Sequence, residues 1–165
     1  MALSEEGVGR RGRSREPVVV AGTLHGGLPM IRVGTGPPLL LLAGLTPEHR
    51  NPTGLDRRMQ LRSAAAFAEH FTVYLVNRRP GLPAGTTIAD LAVDVATAIR
   101  HDIQRPVIVH GASTGGFIAL QLGLDHPELV SRAVIASAAC RLSDSGRRAL
   151  TRSVEQARAG RPRQA

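Results

Sequence analysis

The chain has no lysine, no tryptophan and a single cysteine, and its last histidine, His126, stands well short of Ala165. Each shortage excludes something. All 21 basic residues are arginine, a uniformity that a codon bias in a GC-rich genome explains better than selection for phosphate contacts. The formal net charge of +8 is also uneven along the chain. Residues 1–16 carry four Arg against three Glu, residues 17–140 ten Arg against eight acids, and residues 141–165 seven Arg against two acids. The body is close to balance and the excess is a terminal feature. Aromatics are limited to Phe67, Phe71, Tyr74 and Phe117. A nucleic-acid groove sets basic side chains among aromatic stacking surfaces, so this composition argues against a nucleic-acid partner. Cys140 cannot close an internal disulfide, which fits a reducing compartment. The first sixteen residues contain no apolar segment of the kind a secretory signal needs, and they read as a disordered tail. The longest apolar run, Pro37 to Leu45, is too short to cross a bilayer. The expectation is a soluble, cytoplasmic protein with no membrane partner.

What is present points to one domain built from Leu, Val, Ile and Ala; a chain of 165 residues is long enough for a single core. Val18–Val20 and Met30–Val33 form a plausible hairpin around the turn at His25-Gly26-Gly27. The continuous apolar run Leu39–Ala43 suits a central strand covered on both faces. A polar loop to Gly54 precedes a helix over about Leu55–His70, with Leu55, Met59, Ala66 and Phe67 on its inner side. Phe71–Val76 is the next strand, ended by Arg79-Pro80-Gly81. Thr87-Ile88-Ala89-Asp90 has the form of a capping box, and Ile88, Leu91, Val95 and Ile99 give the following helix one buried face. Val107–His110 is a strand, Gly115–Asp125 a helix apolar on nearly every side, and Ala133–Ala136 a strand. A basic helix runs from Ser143 to about Ala159. From Leu39 onward strand and helix alternate, which specifies α/β architecture: a mainly parallel sheet of about six strands with helices on both faces.

Gly111-Ala112-Ser113-Thr114-Gly115 carries the chemistry. The pattern G-x-S-x-G is common by chance, but here an apolar strand leads into it and an apolar helix leads out, with the serine at the junction. Such a turn forces the serine into a strained conformation and brings residues 111 and 115 together, where little Cβ can be accommodated. The hydroxyl of Ser113 then projects at a helix N-terminus, among amides that stabilise developing negative charge, and reads as a nucleophile. The two oxyanion donors are assigned to the backbone N–H groups of Leu45, in the loop after the Leu39–Ala43 strand, and Thr114.

On these residues the chain resembles the α/β-hydrolase fold family, from about Val18 to Ala159. The carriers are Leu39–Leu45, the segment Asn77-Arg78-Arg79-Pro80-Gly81, the helix from Thr87, the elbow at 111–115, and His126-Pro127-Glu128-Leu129-Val130. The resemblance implies a serine esterase-like hydrolase of a small-molecule acyl substrate, with no metal and no organic cofactor. Many members have His-Gly at the oxyanion loop where this chain has Ala43-Gly44, so a supporting side chain is missing there. A complete member has about eight strands, and the seventh and eighth deliver the acid and the base. By this resemblance residues 17–165 form an incomplete domain, with 143–165 as the start of a lid or cap.

The general base is the gap. His126 lies at the far end of the helix after the elbow, roughly 15 Å from Ser113 at about 1.5 Å per residue. His110 reads as a histidine packed in or beside the sheet. His49 borders the oxyanion loop and is read as an exposed loop residue, with His25, His70 and His101 in turns or helix ends. For the acid, Asp144 follows the sixth strand on the correct side, although a position near a helix N-cap explains it equally well. Two readings follow: an esterase-like hydrolase whose base is absent from these residues, or a hydrolase-fold protein that is inactive and at most binds a ligand. An apolar sheet edge left after the sixth strand also predicts self-association.

Overall fold

The computed structural model describes residues 18–46, 48–139 and 141–159. The tail expected over residues 1–16 and the thiol of Cys140 lie outside the described residues.

Six strands form one sheet: β1 (Val20–Leu24), β2 (Leu28–Val33), β3 (Pro38–Leu42), β4 (Thr72–Val76), β5 (Val107–Ala112) and β6 (Val130–Ala136). Their order is β1-β2-β4-β3-β5-β6. The first two strands join antiparallel, and β4, β3, β5 and β6 run parallel. The hairpin begins two residues later than the Val18 start expected from sequence and extends to Leu24, which pairs with Leu28 across His25–Gly27.

Four helices connect or follow the strands: α1 (Gly54–Ala68), α2 (Ile88–Ala98), α3 (Thr114–Asp125) and α4 (Asp144–Arg158). The larger core lies on one face, where Leu40, Leu42, Val107 and Val109 meet Leu91, Val95 and Ile99 of the α2 segment and Ile118, Ala119 and Leu122 of α3. The smaller core, on the other face, sets Val33, Leu39 and Val73 against Ala64 and Ala68 of α1. β3 is thus covered on both sides, as its unbroken apolar run requires. The capping box at the start of α2 is formed: the Asp90 amide donates to Thr87 Oγ1 at 3.2 Å, and the Thr87 amide donates to Asp90 Oδ2 at 2.8 Å.

Two sequence expectations are corrected. Leu55, Met59, Ala66 and Phe67 lie on the exposed side of α1, while its buried residues are Ala64 and Ala68, with Arg57 and Leu61 half-buried. Alanines at this spacing let the helix sit close to β3 and β4, and close approach outweighs the larger side chains. In α3, Leu124 is exposed, so one side of that helix meets solvent.

Candidate active site

Ser113 alone joins β5 to α3, with φ +52° and ψ −124°, a region that residues with a Cβ avoid. The strain is held in place by neighbours. The Ser113 amide donates to Ala136 O of β6 at 3.0 Å, and its carbonyl accepts from the Gly116 and Phe117 amides at 2.9 and 3.2 Å. Three glycines make room. A Cβ on Gly111 would stand 2.1 Å from Gly115 O, one on Gly115 2.2 Å from Leu42 O, and one on Gly116 2.5 Å from the Ala138 Cβ. Contacts that short are impossible without moving backbone, so the 111–115 spacing read from sequence is a steric necessity. Ser113 is exposed, and the Thr114 amide behind it is the first of α3, where a helix has N–H groups without intrahelical acceptors.

The topology marks the same place independently. From β3 the chain first adds β4 on one side and then returns to add β5 on the other. Ligand sites in open parallel sheets lie at such a reversal, beyond the carboxyl ends of the two diverging strands. Here the loops leaving β3 and β5 meet: a Cβ built on Gly44 would be 3.5 Å from Ala112 O and 3.9 Å from the Ser113 Cβ. Leu45 follows, its side chain 68% exposed. The sequence places Gly44 in the loop and assigns the donor to Leu45; the closeness of Gly44 to Ser113 is a property of the sheet order.

The loop after β3 is fastened by Arg78, which is only 7% exposed. Its guanidinium donates to Ala43 O at 3.2 Å, Gly44 O at 2.9 Å and Thr46 Oγ1 at 3.0 Å, and its Nε donates to His49 Nε2 at 3.2 Å. Asn77 adds bonds from Nδ2 to Glu48 O and Arg50 O. His49 is therefore half-buried and engaged, not the free loop residue expected. Its Nε2 accepts, which leaves Nδ1–H to donate to Arg79 O at 3.2 Å. Burial, and then the Arg78 charge, hold its pKa below the usual histidine value, outweighing the Arg79 carbonyl.

The remaining imidazoles are placed elsewhere. His25 stacks on His101, ring centroids 4.1 Å apart, and His101 Nδ1 meets Asp102. His126 contacts Arg100, and His70 is exposed beyond the end of α1. His110 is not packed in the core. It alternates with Val109 along β5, so it faces away from α3, onto the wall of a cavity of about 490 Å³ between the sheet, α1 and the loop after β3. Leu41, Leu75, Asp56 and Gln60 also line that cavity, which reaches Ala43 and Gly44. Asp144 opens α4 and pairs with Arg147 one turn on. Among the described residues no group of three acids, histidines or cysteines could hold a metal ion, and no helix is long and apolar enough to cross a membrane.

Known proteins agree with this architecture. A family model described as serine aminopeptidase, S33, matches residues 84–160, a span that contains the elbow. RutD of Serratia proteamaculans, a candidate carbamate hydrolase, is 33% identical over 78 residues, which are 44% of this chain and 29% of RutD. The crystal structure of E-2-(acetamidomethylene)succinate hydrolase superposes with a TM-score of 0.65 at 20% identity, over 88% of this chain and 52% of that one. BpoC of Mycobacterium tuberculosis, a candidate non-heme bromoperoxidase, superposes with a TM-score of 0.62 at 27% identity, over 81% and 49%. The chain spans about half the length of these solved structures and under a third of RutD. A mainly parallel sheet of this order, a strained serine between its fifth strand and third helix, and these matches lead to one assignment: the chain has the fold of the α/β hydrolases.

Proposed function

We propose that this chain carries the nucleophile and the oxyanion donors of an esterase-like hydrolase. Ser113 Oγ attacks the carbonyl carbon of an ester or related acyl compound and passes its proton to a base. The carbonyl oxygen takes the electron pair and is met by the N–H groups of Leu45 and Thr114. Collapse of the tetrahedral centre expels the leaving group, which takes up the proton, and leaves an acyl-serine for water to cleave. The observation that supports this most is the φ of +52° at Ser113, held at the topological switch point beside Gly44. Strain of that size persists only where surrounding contacts enforce it. Asp144 is the acid only by its place after β6, since its carboxylate pairs with Arg147.

A second reading, a hydrolase-fold protein without turnover of its own, draws support from the histidines. None of the six donates to or accepts from Ser113 among the contacts described above. Without a base, a serine hydroxyl loses several orders of magnitude in reactivity.

Exogenous imidazole separates the two. The chain is incubated with p-nitrophenyl acetate, with and without imidazole, and acyl adducts are located by peptide mass spectrometry. The absence of lysine amines leaves few competing acceptors. Imidazole-dependent acetylation of Ser113, missing in Ser113→Ala, is the expected result. No adduct at Ser113 at any imidazole concentration would sink the nucleophile assignment. Strong labelling without imidazole, by the ester or by a fluorophosphonate, would show that the chain holds its own base.

A further inference from the structure

Arg78 has a connection to the site that neither the motif nor the matches assign. A buried arginine ordinarily meets a carboxylate, because a lone cation is costly to desolvate. Here the guanidinium spends its donors on the carbonyls of Ala43 and Gly44, the hydroxyl of Thr46 and the ring of His49. Two of those acceptors, Ala43 O and Gly44 O, belong to the peptide units on either side of the Gly44 Cα, the first carrying the Gly44 N–H and the second the Leu45 N–H. Holding the carbonyls from one side aims the N–H groups to the other. Ala43 and Gly44 have no polar side chain of their own with which to do this.

We propose that Arg78 is the positioning residue of the oxyanion loop, and that neutral His49 keeps its guanidinium in register, so that protonating His49 releases the loop. The catalytic meaning of this rests on the nucleophile reading above, whereas the mechanical part does not. Arg78 cannot lose its charge in the accessible pH range. A proton on His49 Nε2 would therefore set donor against donor and cation against cation, and the Nε contact would break. The charged groups around the imidazole are few. On its own loop Glu48 and Arg50 pair with each other. From the loop after β4, Arg78 faces it directly, while Arg79 offers its carbonyl and turns its guanidinium to Asp94 of α2 at 2.8 Å. No carboxylate takes up the new charge in these contacts. The lowered pKa of His49 is consistent with that opposition.

The test follows the amide resonances of Gly44, Leu45 and Thr46 by NMR across pH, beside the titration of the His49 ring. In the wild-type chain these amides should shift together with one inflection, below the ordinary histidine value and coincident with His49. His49→Gln keeps an acceptor but cannot titrate. It should abolish the inflection and hold the amides at their high-pH positions. Arg78→Met should move the same amides at every pH and lower imidazole-dependent acetylation of Ser113 by about tenfold to a hundredfold, the scale on which a donor misplaced by about 1 Å acts. Loop amides that ignore the His49 titration in the wild-type chain would overturn the proposal, even if Arg78→Met failed to fold. Amides that follow His49 while Ser113 stays unacetylated would uphold the loop mechanism and sink the nucleophile reading instead.

Discussion

At the scale of the residue, the glycines of the elbow and the glycine of its helix make opposite predictions. Gly111→Ala places a methyl group 2.1 Å from Gly115 O, and backbone must move to admit it. Overpacking of that kind costs about 1–3 kcal/mol, and more where backbone is the obstacle. Gly123, in the last turn of α3, has nothing within 4 Å of a built Cβ. Gly123→Ala should stabilise by about 0.5–1 kcal/mol, because it lowers the entropy of the unfolded chain and suits the helix. Urea denaturation of the two variants checks both signs. His49 makes a third prediction. Its folded-state pKa lies below the unfolded value near 6.5, so its contribution to stability is complete above that pH and is lost as pH falls through the folded value. The urea midpoint should therefore drop more in the wild-type chain than in His49→Gln between about pH 7 and about pH 5. Equal drops would show that His49 is not coupled to folding.

At the scale of the element, Thr87 can be tested alone. Thr87→Ala removes the side-chain half of the capping box and should cost about 1 kcal/mol, with the loss of helicity confined to the start of α2 in hydrogen exchange. That box was legible in the sequence because its partners are three residues apart and of fixed type. The same holds for the buried face of α2 and for the elbow, where spacing alone carries the steric argument. α1 was misread because periodicity counts large apolar residues, and Leu55 and Met59 outweigh Ala64 and Ala68 in any such count although the alanines make the contact. The test is direct: Met59→Ser should change stability by less than about 0.5 kcal/mol, as an exposed position does. Ala64→Leu should be strongly destabilising. Arg78 was invisible for another reason. Two of its four acceptors are backbone carbonyls, which every residue carries, and so nothing in the sequence around residue 43 announces those bonds.

At the scale of the molecule, β6 is the outer strand beyond β5 among the described residues, and Ser131 to Ile135 are exposed along it, with Val134 52% exposed. A strand like this, with no proline and one charge, offers its free backbone row to another strand. The chain should sediment as a concentration-dependent oligomer, and Val134→Lys should shift it toward monomer; a single monomeric species at all concentrations would count against pairing through this edge. The glycine contacts at the elbow also bear on how the molecule assembles. Gly115 rests on the carbonyl of Leu42, at the end of β3, and Gly111 rests on Gly115. The strands thus locked together are separated in the chain by all of α1, β4 and α2. Contacts across such distances form late, because the intervening chain must be ordered before they gain anything. The serine cannot take up its strained shape on the β5–α3 segment alone. It is set last, by the closing of the sheet, and a refolding chain will regain its helices before Ser113 regains its positive φ.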